Sequence, residues 1–179
     1  MSVTFTIPEI ETERLRLRAH RPEDFEPLAA FYATKRSAGV GGPMSRGRTW
    51  RGFASVVGHW VLRGYGFWAI EEKASGAYCG NVGLWYPEDW PEPEIGWTMM
   101  GDAEGRGIAH EAALASRDYA YETLGWTTAI SLIAPDNTRS QTLAQRLGAQ
   151  HERDWTHETY GVMQIWRHLS PNELKTKKD

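Results

Sequence analysis

The pattern of hydrophobic and polar positions changes along the chain from a strand pattern to a helical one. Residues 14–19 alternate leucine with arginine, the period-two pattern of a strand with one face in water. Residues 25–32 and 49–62 instead repeat apolar positions every three or four residues, which predicts two amphipathic helices. Between them, residues 37–48 contain four glycines and a proline, so we expect a flexible connection there.

The middle of the chain is rich in aromatic and β-branched residues. Residues 66–70 and 78–86 predict two antiparallel strands, with a hairpin turn at residues 73–76. A proline-rich acidic loop at residues 87–93 marks the end of this hairpin. A third strand is predicted at residues 94–100, and it leads directly into a glycine turn.

The carboxyl-terminal half alternates helix and strand patterns. Small residues from position 109 to 120 form one helical face, which allows the helix axis to lie close to a sheet. An apolar run at residues 129–134 predicts a strand, and Asp136 or Asn137 can cap a further helix that ends at Gly148. A closing hairpin follows at residues 149–155 and 160–168, and we expect Pro171 to end regular structure.

Composition limits the class of protein. The length of 179 residues suits a single domain, residues 1–179, with a core over residues 11–169 and a tail over residues 170–179. The net charge of −3, with both signs interspersed, argues against a nucleic-acid partner, and apolar runs are shorter than the about 20 residues that cross a membrane. A single cysteine, Cys79, and the lack of a leader pattern predict a cytoplasmic protein.

The main chemical signal is the segment from Glu104 to Ala113, a glycine-broken turn that leads into a helix of small residues. Gly105 and Gly107 let the backbone approach a ligand closely, and the helix start presents unpaired N–H groups and the positive end of its dipole. Such a site favours a pyrophosphate group, although the same run taken alone is also typical of a surface turn. A dinucleotide fingerprint would need a third glycine where His110 stands, and no Walker loop is present.

This run resembles the coenzyme A pyrophosphate loop of the GNAT superfamily of N-acetyltransferases, written Gln/Arg-x-x-Gly-x-Gly/Ala and matched by Gly107 and Ala109. Glu104 departs from that pattern, which affects only a side-chain contact. Further motifs agree in order and spacing, at residues 12–18, 22–25, 94–97, 137–140 and 147–149. The similarity covers roughly residues 11–169 and extends to the branch that includes the ribosomal-protein alanine acetyltransferases.

The resemblance implies an α/β (α+β) GNAT fold. Its central sheet would be mixed, largely antiparallel and twisted, with about six to seven strands flanked by about four helices. The strands at residues 94–100 and 129–134 should splay apart, with the pantetheine arm of acetyl-CoA lying in the gap. A main-chain N–H near Thr98 would also face the thioester oxygen.

The resemblance also implies which residues bind the cosubstrate, acetyl-CoA. These are Thr98, Met99, Met100, Gly105, Arg106, Gly107, Ile108, Ala109, His110, Asn137 and Ser140. Several have a second interpretation that the sequence leaves open. The two methionines can also fill the core, His110 can be an exposed first-turn residue, and Asn137 and Ser140 can cap a helix.

Glu94 is the candidate general base for the acceptor amine, with an exposed strand-end carboxylate as the alternative. The family's tyrosine acid is matched here by Ala144, so Ser140 is the nearest hydroxyl that can assist the leaving thiolate, which otherwise leaves unaided. Trp85, Glu94 and Trp155 are the candidate acceptor-binding residues, beside the connection after residue 37.

The function that this resemblance implies is direct transfer of acetyl from acetyl-CoA to a primary amine, either a protein amino terminus or a small molecule. One alternative is an acyl-CoA-binding regulatory protein with little transferase activity, and another hypothesis is a ribosome-associated protein modifier. The histidines lack metal-ligand spacing, so we expect no metal. We expect no membrane partner and a monomer or homodimer.

Overall fold

A computed structural model of the chain describes residues 5–176, which are arranged around one eight-stranded sheet. Its strands are β1 (Ile10–Glu11), β2 (Leu15–Arg18), β3 (Phe67–Glu72), β4 (Tyr78–Trp85), β5 (Glu94–Met99), β6 (Ile130–Ile133), β7 (Gln150–His157) and β8 (Gly161–Arg167). The order across the sheet is β1-β2-β3-β4-β5-β6-β8-β7. Every neighbouring pair is antiparallel except β5 and β6, which run parallel. The predicted mixed, largely antiparallel α/β architecture is confirmed.

The α-helices are α1 (Phe25–Tyr32), α2 (Arg46–Arg63), α3 (Ile108–Asp118), α4 (Thr138–Arg146) and α5 (Pro171–Thr176). Short 3₁₀ helices at Pro22–Asp24, Lys35–Val40 and Gly101–Ala103 connect them to the strands, and a π-helical turn extends α3. Helices α1 and α2 pack on each other, while α3 packs on β2, β4 and β5. No helix within residues 5–176 is long and apolar enough to cross a membrane.

The small-residue face of α3 is buried against the sheet, as the sequence predicts. Ala112, Ala113 and Ser116 have no solvent exposure, because the helix axis approaches the strands closely. The main core cluster continues from these residues to Trp60 of α2 and to Trp68 of β3. This packing fixes the start of α3 relative to the end of β5.

Three local predictions were wrong. The sheet has an additional edge strand, β1, whose two residues are too few for a period-two pattern to be visible. Pro171 begins α5 instead of ending regular structure, because Ser170 and Glu173 form a reciprocal cap and proline suits the first helical position. The connection at residues 37–48 includes most of a 3₁₀ helix and the first residues of α2, capped by Ser45.

The central strands splay apart, as the resemblance implies. The register between β5 and β6 contains one pair, Glu94 with Ile130. Beyond it, the Leu132 N–H donates to the Glu94 carboxylate at 3.1 Å, and the Ser131 hydroxyl donates to the Ile95 carbonyl at 2.6 Å. Side chains therefore take the place of the missing backbone ladder along this seam.

Candidate functional site

The glycine turn lies between β5 and α3. Gly105 and Gly107 have left-handed backbone, with φ of 72° and 77°, which residues with a Cβ rarely adopt. Gly107 precedes the first residue of α3, and no side chain caps the helix there. The Glu111 N–H donates to the Gly107 carbonyl at 3.1 Å, which closes the first turn. The N–H groups between these two residues have no carbonyl partner within the helix and are available to an anion.

A large cavity of about 600 Å³ opens in front of this turn, between the end of β5 and α4. Nine of the residues predicted to bind coenzyme line it, namely Thr98, Met99, Gly105, Gly107, Ile108, Ala109, His110, Asn137 and Ser140. Residues that are more than 30 positions apart in the chain thus lie around one cavity. An elongated, phosphate-bearing ligand fits this combination of an open helix start and a long cleft.

Two of the predicted coenzyme residues lie outside the lining of this cavity. The Met100 N–H donates to the Cys79 carbonyl at 2.9 Å, and its side chain packs in the cluster around Phe25. The Arg106 side chain forms an ion pair with Glu72, and Arg106 is not part of the cavity lining. The predicted turn thus lies at the cavity, while Met100 and Arg106 stand outside its lining.

Arginines dominate the charge of the large cavity, and the sequence analysis did not assign them to the site. Arg36, Arg139 and Arg146 line it, and Glu104 forms ion pairs at 2.8 Å with both Arg36 and Arg139. Glu104, the departure from the family motif, therefore holds two guanidinium groups beside the helix start. Arg139 lies within the 137–140 motif, so its position there was a signal that could have identified it.

Asn137 caps α4, which was one of its two predicted roles. Its side-chain carbonyl accepts the Ser140 N–H at 3.2 Å, and its amide donates to the Gly39 carbonyl at 3.1 Å. A Cβ on Gly39 would lie 2.5 Å from that amide, so this contact requires glycine. Asn137 thereby joins the start of α4 to the 3₁₀ helix after α1.

A second, small cavity of about 210 Å³ adjoins the large one. Val40, Trp97, Thr98 and Ser140 line both cavities, so they mark the place where the two meet. The Ser140 hydroxyl accepts the Trp97 indole N–H at 3.2 Å at this junction. A reactive group carried by a ligand of the large cavity would meet a ligand of the small cavity here.

Glu94 is buried, with 8% of its surface exposed, and it lines the small cavity. Glu94 is therefore not the exposed strand-end carboxylate that was the alternative to a general base. Burial raises the pKa of Glu94 to about 7, although hydrogen bonds from the Trp90 indole and the Leu132 amide oppose this shift. A carboxyl group with such a pKa can accept a proton at neutral pH and release it again.

Trp85, one of the three candidate acceptor residues, forms part of the wall of the small cavity. Its ring stacks on His59, with centroids 4.3 Å apart and planes 20° apart. His59 accepts the Tyr86 N–H on one ring nitrogen and bonds to the Tyr65 carbonyl with the other, which defines a neutral tautomer. Burial lowers the pKa of His59, so this support for Trp85 stays uncharged near neutral pH.

Trp155, the third predicted acceptor residue, lies on β7 and lines neither of these two cavities. Its ring contacts His157, which in turn contacts Trp90. Trp90 is the residue of this aromatic group that reaches Glu94. The sequence analysis also missed Tyr32 and Phe67, whose positions at element ends gave no local signal that they meet β5.

Within the described residues, no group of three or more His, Cys, Asp or Glu side chains is placed to hold a metal ion. The buried His168 instead bonds to Ser131 at 2.9 Å, and desolvation lowers its pKa to about 3. His168 is thus a neutral group that supports the seam between β5 and β6. Among the described residues that line the small cavity, Glu94 is the acidic side chain, and Tyr32 adds a phenol.

Comparisons with known structures agree with this fold. The crystal structure of an acetyltransferase from Agrobacterium tumefaciens str. C58 is 35% identical, covers 94% of this chain and 98% of that chain, and gives a TM-score of 0.85. The ribosomal-protein-S5-alanine acetyltransferase from Vibrio fischeri gives a TM-score of 0.70 over 93% of this chain and 99% of that chain. Its sequence identity of 14% shows a shared fold alone.

Sequence comparisons identify a relative and a family. The uncharacterized protein YkkB of Bacillus subtilis (strain 168) is 31% identical over 96 residues, which span 51% of this chain and 55% of that relative. The aligned region thus covers about half of this curated relative. Residues 14–150 match the family described as Acetyltransferase (GNAT) domain. Because this match covers most of the sequence, the chain belongs to the GNAT family of acetyltransferases.

Proposed function

We propose that the protein transfers an acetyl group from acetyl-CoA directly to a primary amine. The observation that carries this proposal is the meeting of two chemically different cavities at Trp97, Thr98 and Ser140. The large cavity combines an uncapped helix start with arginines, which suits a phosphate-bearing donor. The small cavity contains the buried Glu94 carboxylate, which suits an amine acceptor.

The residues of the large cavity fit coenzyme A. The N–H groups at the start of α3 would hold the pyrophosphate, and Arg139 and Arg146 lie where they can contact phosphate oxygens. Thr98 and Met99 lie on the part of β5 that has separated from β6, so their backbone groups are positioned for an extended ligand. When bound, acetyl-CoA supplies a thioester, whose acetyl carbon is open to attack by an amine.

Glu94 would take the proton that the acceptor amine must lose. Ordinary pKa values are about 8 for an α-amine and about 10.4 for lysine, so both amines arrive largely protonated at neutral pH. A carboxyl group whose pKa is about 7 accepts a proton from an α-amine at little cost, whereas an ordinary glutamate near 4.3 is a much weaker base. The freed nitrogen then bonds to the acetyl carbon, and the carbon–sulfur bond breaks. The nitrogen gives up its second proton as the amide forms, and that proton leaves with the thiolate, which departs as the free thiol.

Ser140 would assist the departing thiolate. The position of the family's tyrosine is Ala144, which is fully buried among Ile133, Ala149 and Trp166 and carries no hydroxyl. Because the Ser140 hydroxyl accepts from Trp97, its own hydrogen can be donated at the junction of the two cavities. The Ser140 hydroxyl would thus donate a hydrogen bond to the sulfur without transferring its proton completely.

The alternative is a coenzyme-binding regulator without turnover, which the alanine at position 144 favours because it removes the family's usual acid. A protein amino terminus is one acceptor to consider, since the Vibrio fischeri neighbour is named as a ribosomal-protein-S5-alanine acetyltransferase. Mass spectrometry of ribosomal-protein amino termini in cells lacking this protein tests that acceptor. Unchanged termini would remove it.

The test of transfer measures thiol release from acetyl-CoA with a panel of primary amines and peptide amino termini. We expect turnover for at least one acceptor, and a loss of about 100-fold in kcat/KM for Glu94→Gln, in the range of lost general-base catalysis. The matched control is Glu122→Gln. Glu122 is exposed on the π-helical turn that follows α3, at the opposite end of this helix from the glycine turn. Thermal stabilisation by acetyl-CoA without any turnover would favour the regulator.

A further inference from the structure

The charged side chain in the lining of the small cavity is acidic. Among the described residues that line it there is no Lys, Arg or His, and Glu94 is the carboxylate. The arginines of the site, including Arg139 and Arg146, line the large cavity instead. A ligand of the small cavity therefore meets Glu94 without a neighbouring cation, so a second carboxylate close to its amine would be repelled by the ionised Glu94 and would have no Lys, Arg or His to pair with.

Aromatic rings supply most of the remaining wall. Tyr32, Phe67, Trp85, Trp90 and Trp97 all line the small cavity. The indole N–H groups of Trp90 and Trp97 are already donated, to Glu94 and Ser140 respectively. These two rings thus contribute apolar surface, rather than free donors that a carboxylate could use.

One ring lies on the same side of β5 as the carboxylate. A Cβ built on Gly96 would lie 2.9 Å from the tip of the Phe67 ring and 3.6 Å from a Glu94 carboxylate oxygen. A cation at Glu94 would therefore share this side of β5 with an aromatic ring as well as with the negative charge. Trp85, whose ring centroid is 5.5 Å from that of Phe67, extends the same aromatic wall.

We propose that the acceptor is a primary amine on an aromatic or bulky apolar group, with no carboxylate on the amine-bearing carbon. This inference rests on the acetyl transfer proposed above and names the class of amine. The volume of about 210 Å³ lies below the roughly 300 Å³ at which pockets for drug-sized ligands begin, so the cavity holds one side-chain-sized group. A longer acceptor would place only its terminal residue there.

The test compares 2-phenylethylamine with phenylalanine, which differ by the carboxylate. We expect kcat/KM for phenylalanine to be at least tenfold lower, even though its amine is the less basic and more of it is unprotonated. Equal kcat/KM values for the two compounds would overturn the proposed acceptor class while leaving acetyl transfer intact. A lack of turnover with every amine, despite stabilisation by acetyl-CoA, would overturn acetyl transfer and this inference with it.

A second comparison isolates the aromatic wall. We expect 2-phenylethylamine to be preferred over 2-cyclohexylethylamine, and Trp85→Leu to reduce that preference about threefold or more. Trp50→Leu is the matched control, since Trp50 is 52% exposed on α2 and lines neither cavity. A preference that is unchanged in Trp85→Leu would contradict the role of the wall. A peptide that begins with phenylalanine, compared with 2-phenylethylamine, distinguishes a protein terminus from a small amine as the source.

Discussion

The hydrogen bond from Trp90 to Glu94 offers a direct test of what determines the pKa of Glu94. Burial raises the pKa of Glu94 to about 7, and the Trp90 indole N–H holds it below the value that burial alone would give. Trp90→Phe keeps a ring in the cavity wall but removes the donor. The carboxylate form then loses a stabilising contact, while the protonated form loses little.

The size of the effect follows from the strength of such a bond. A hydrogen bond to a charged group contributes about 1.5–3 kcal/mol, and each pKa unit corresponds to about 1.36 kcal/mol. The pKa of Glu94 in Trp90→Phe should therefore rise by about one to two units. With Glu94 as the proposed base, activity should be low while Glu94 is protonated and should increase as pH rises through its pKa.

The assay is thiol release from acetyl-CoA, measured as kcat/KM from about pH 5.5 to pH 10 with one amine throughout. The acid limb of the wild-type profile should lie near pH 7, and that of Trp90→Phe should move upward by about one to two units. The ionisation of the amine itself is common to both proteins and cancels in the comparison. Trp50→Phe, on the exposed face of α2, is the control and should leave the limb in place. An acid limb that does not move in Trp90→Phe would refute this account of the base.

Three further outcomes are expected. Folding raises the pKa of Glu94 from 4.5 to about 7, so ionising Glu94 carries a free-energy penalty in the folded wild-type protein. Glu94→Gln lacks this penalty. Its free energy of unfolding minus that of wild type should therefore increase by about 3 kcal/mol between pH 4 and pH 8 in denaturant titrations. The penalty is absent below the unfolded pKa and complete above the folded one, so a pH-independent difference would contradict the assigned pKa. Glu104→Gln releases Arg36 and Arg139 and should tighten acetyl-CoA binding several-fold at low salt in calorimetry, an effect that 1 M salt should remove. Gly52→Ala, inside α2 with open space around it, should raise the free energy of unfolding by about 0.5–1 kcal/mol without affecting turnover.

The parts of the site that the sequence predicted are those defined by local backbone chemistry. The turn at Gly105 and Gly107 was predictable because left-handed backbone before a helix needs glycine, whatever the rest of the fold does. Asn137 was predictable as a cap for a similar reason. Glu94 was predictable as a candidate because it lies at the start of a strand that precedes the turn, but its burial was not.

The parts that the sequence did not predict depend on how distant elements pack. Tyr32 ends α1 and Phe67 begins β3, and only the packing of α1 and the pairing of β3 with β4 bring them beside β5. Trp155 lies outside the lining of both cavities, because its strand lies beyond β8 at the edge of the sheet. Aromatic character marks a candidate for a pocket wall, but it does not show which strands are neighbours.

The seam between β5 and β6 restricts what can stand at position 94. The same carboxylate that would change charge in every catalytic cycle also receives the Leu132 N–H, which would otherwise lie unpaired where the strands separate. Glutamine has an oxygen that can still receive this N–H, whereas aspartate is one methylene shorter and alanine offers no acceptor. A relative without transferase activity would therefore still need a long side chain that ends in an oxygen at this position. Such a relative could keep glutamate there only because the Leu132 N–H needs an acceptor.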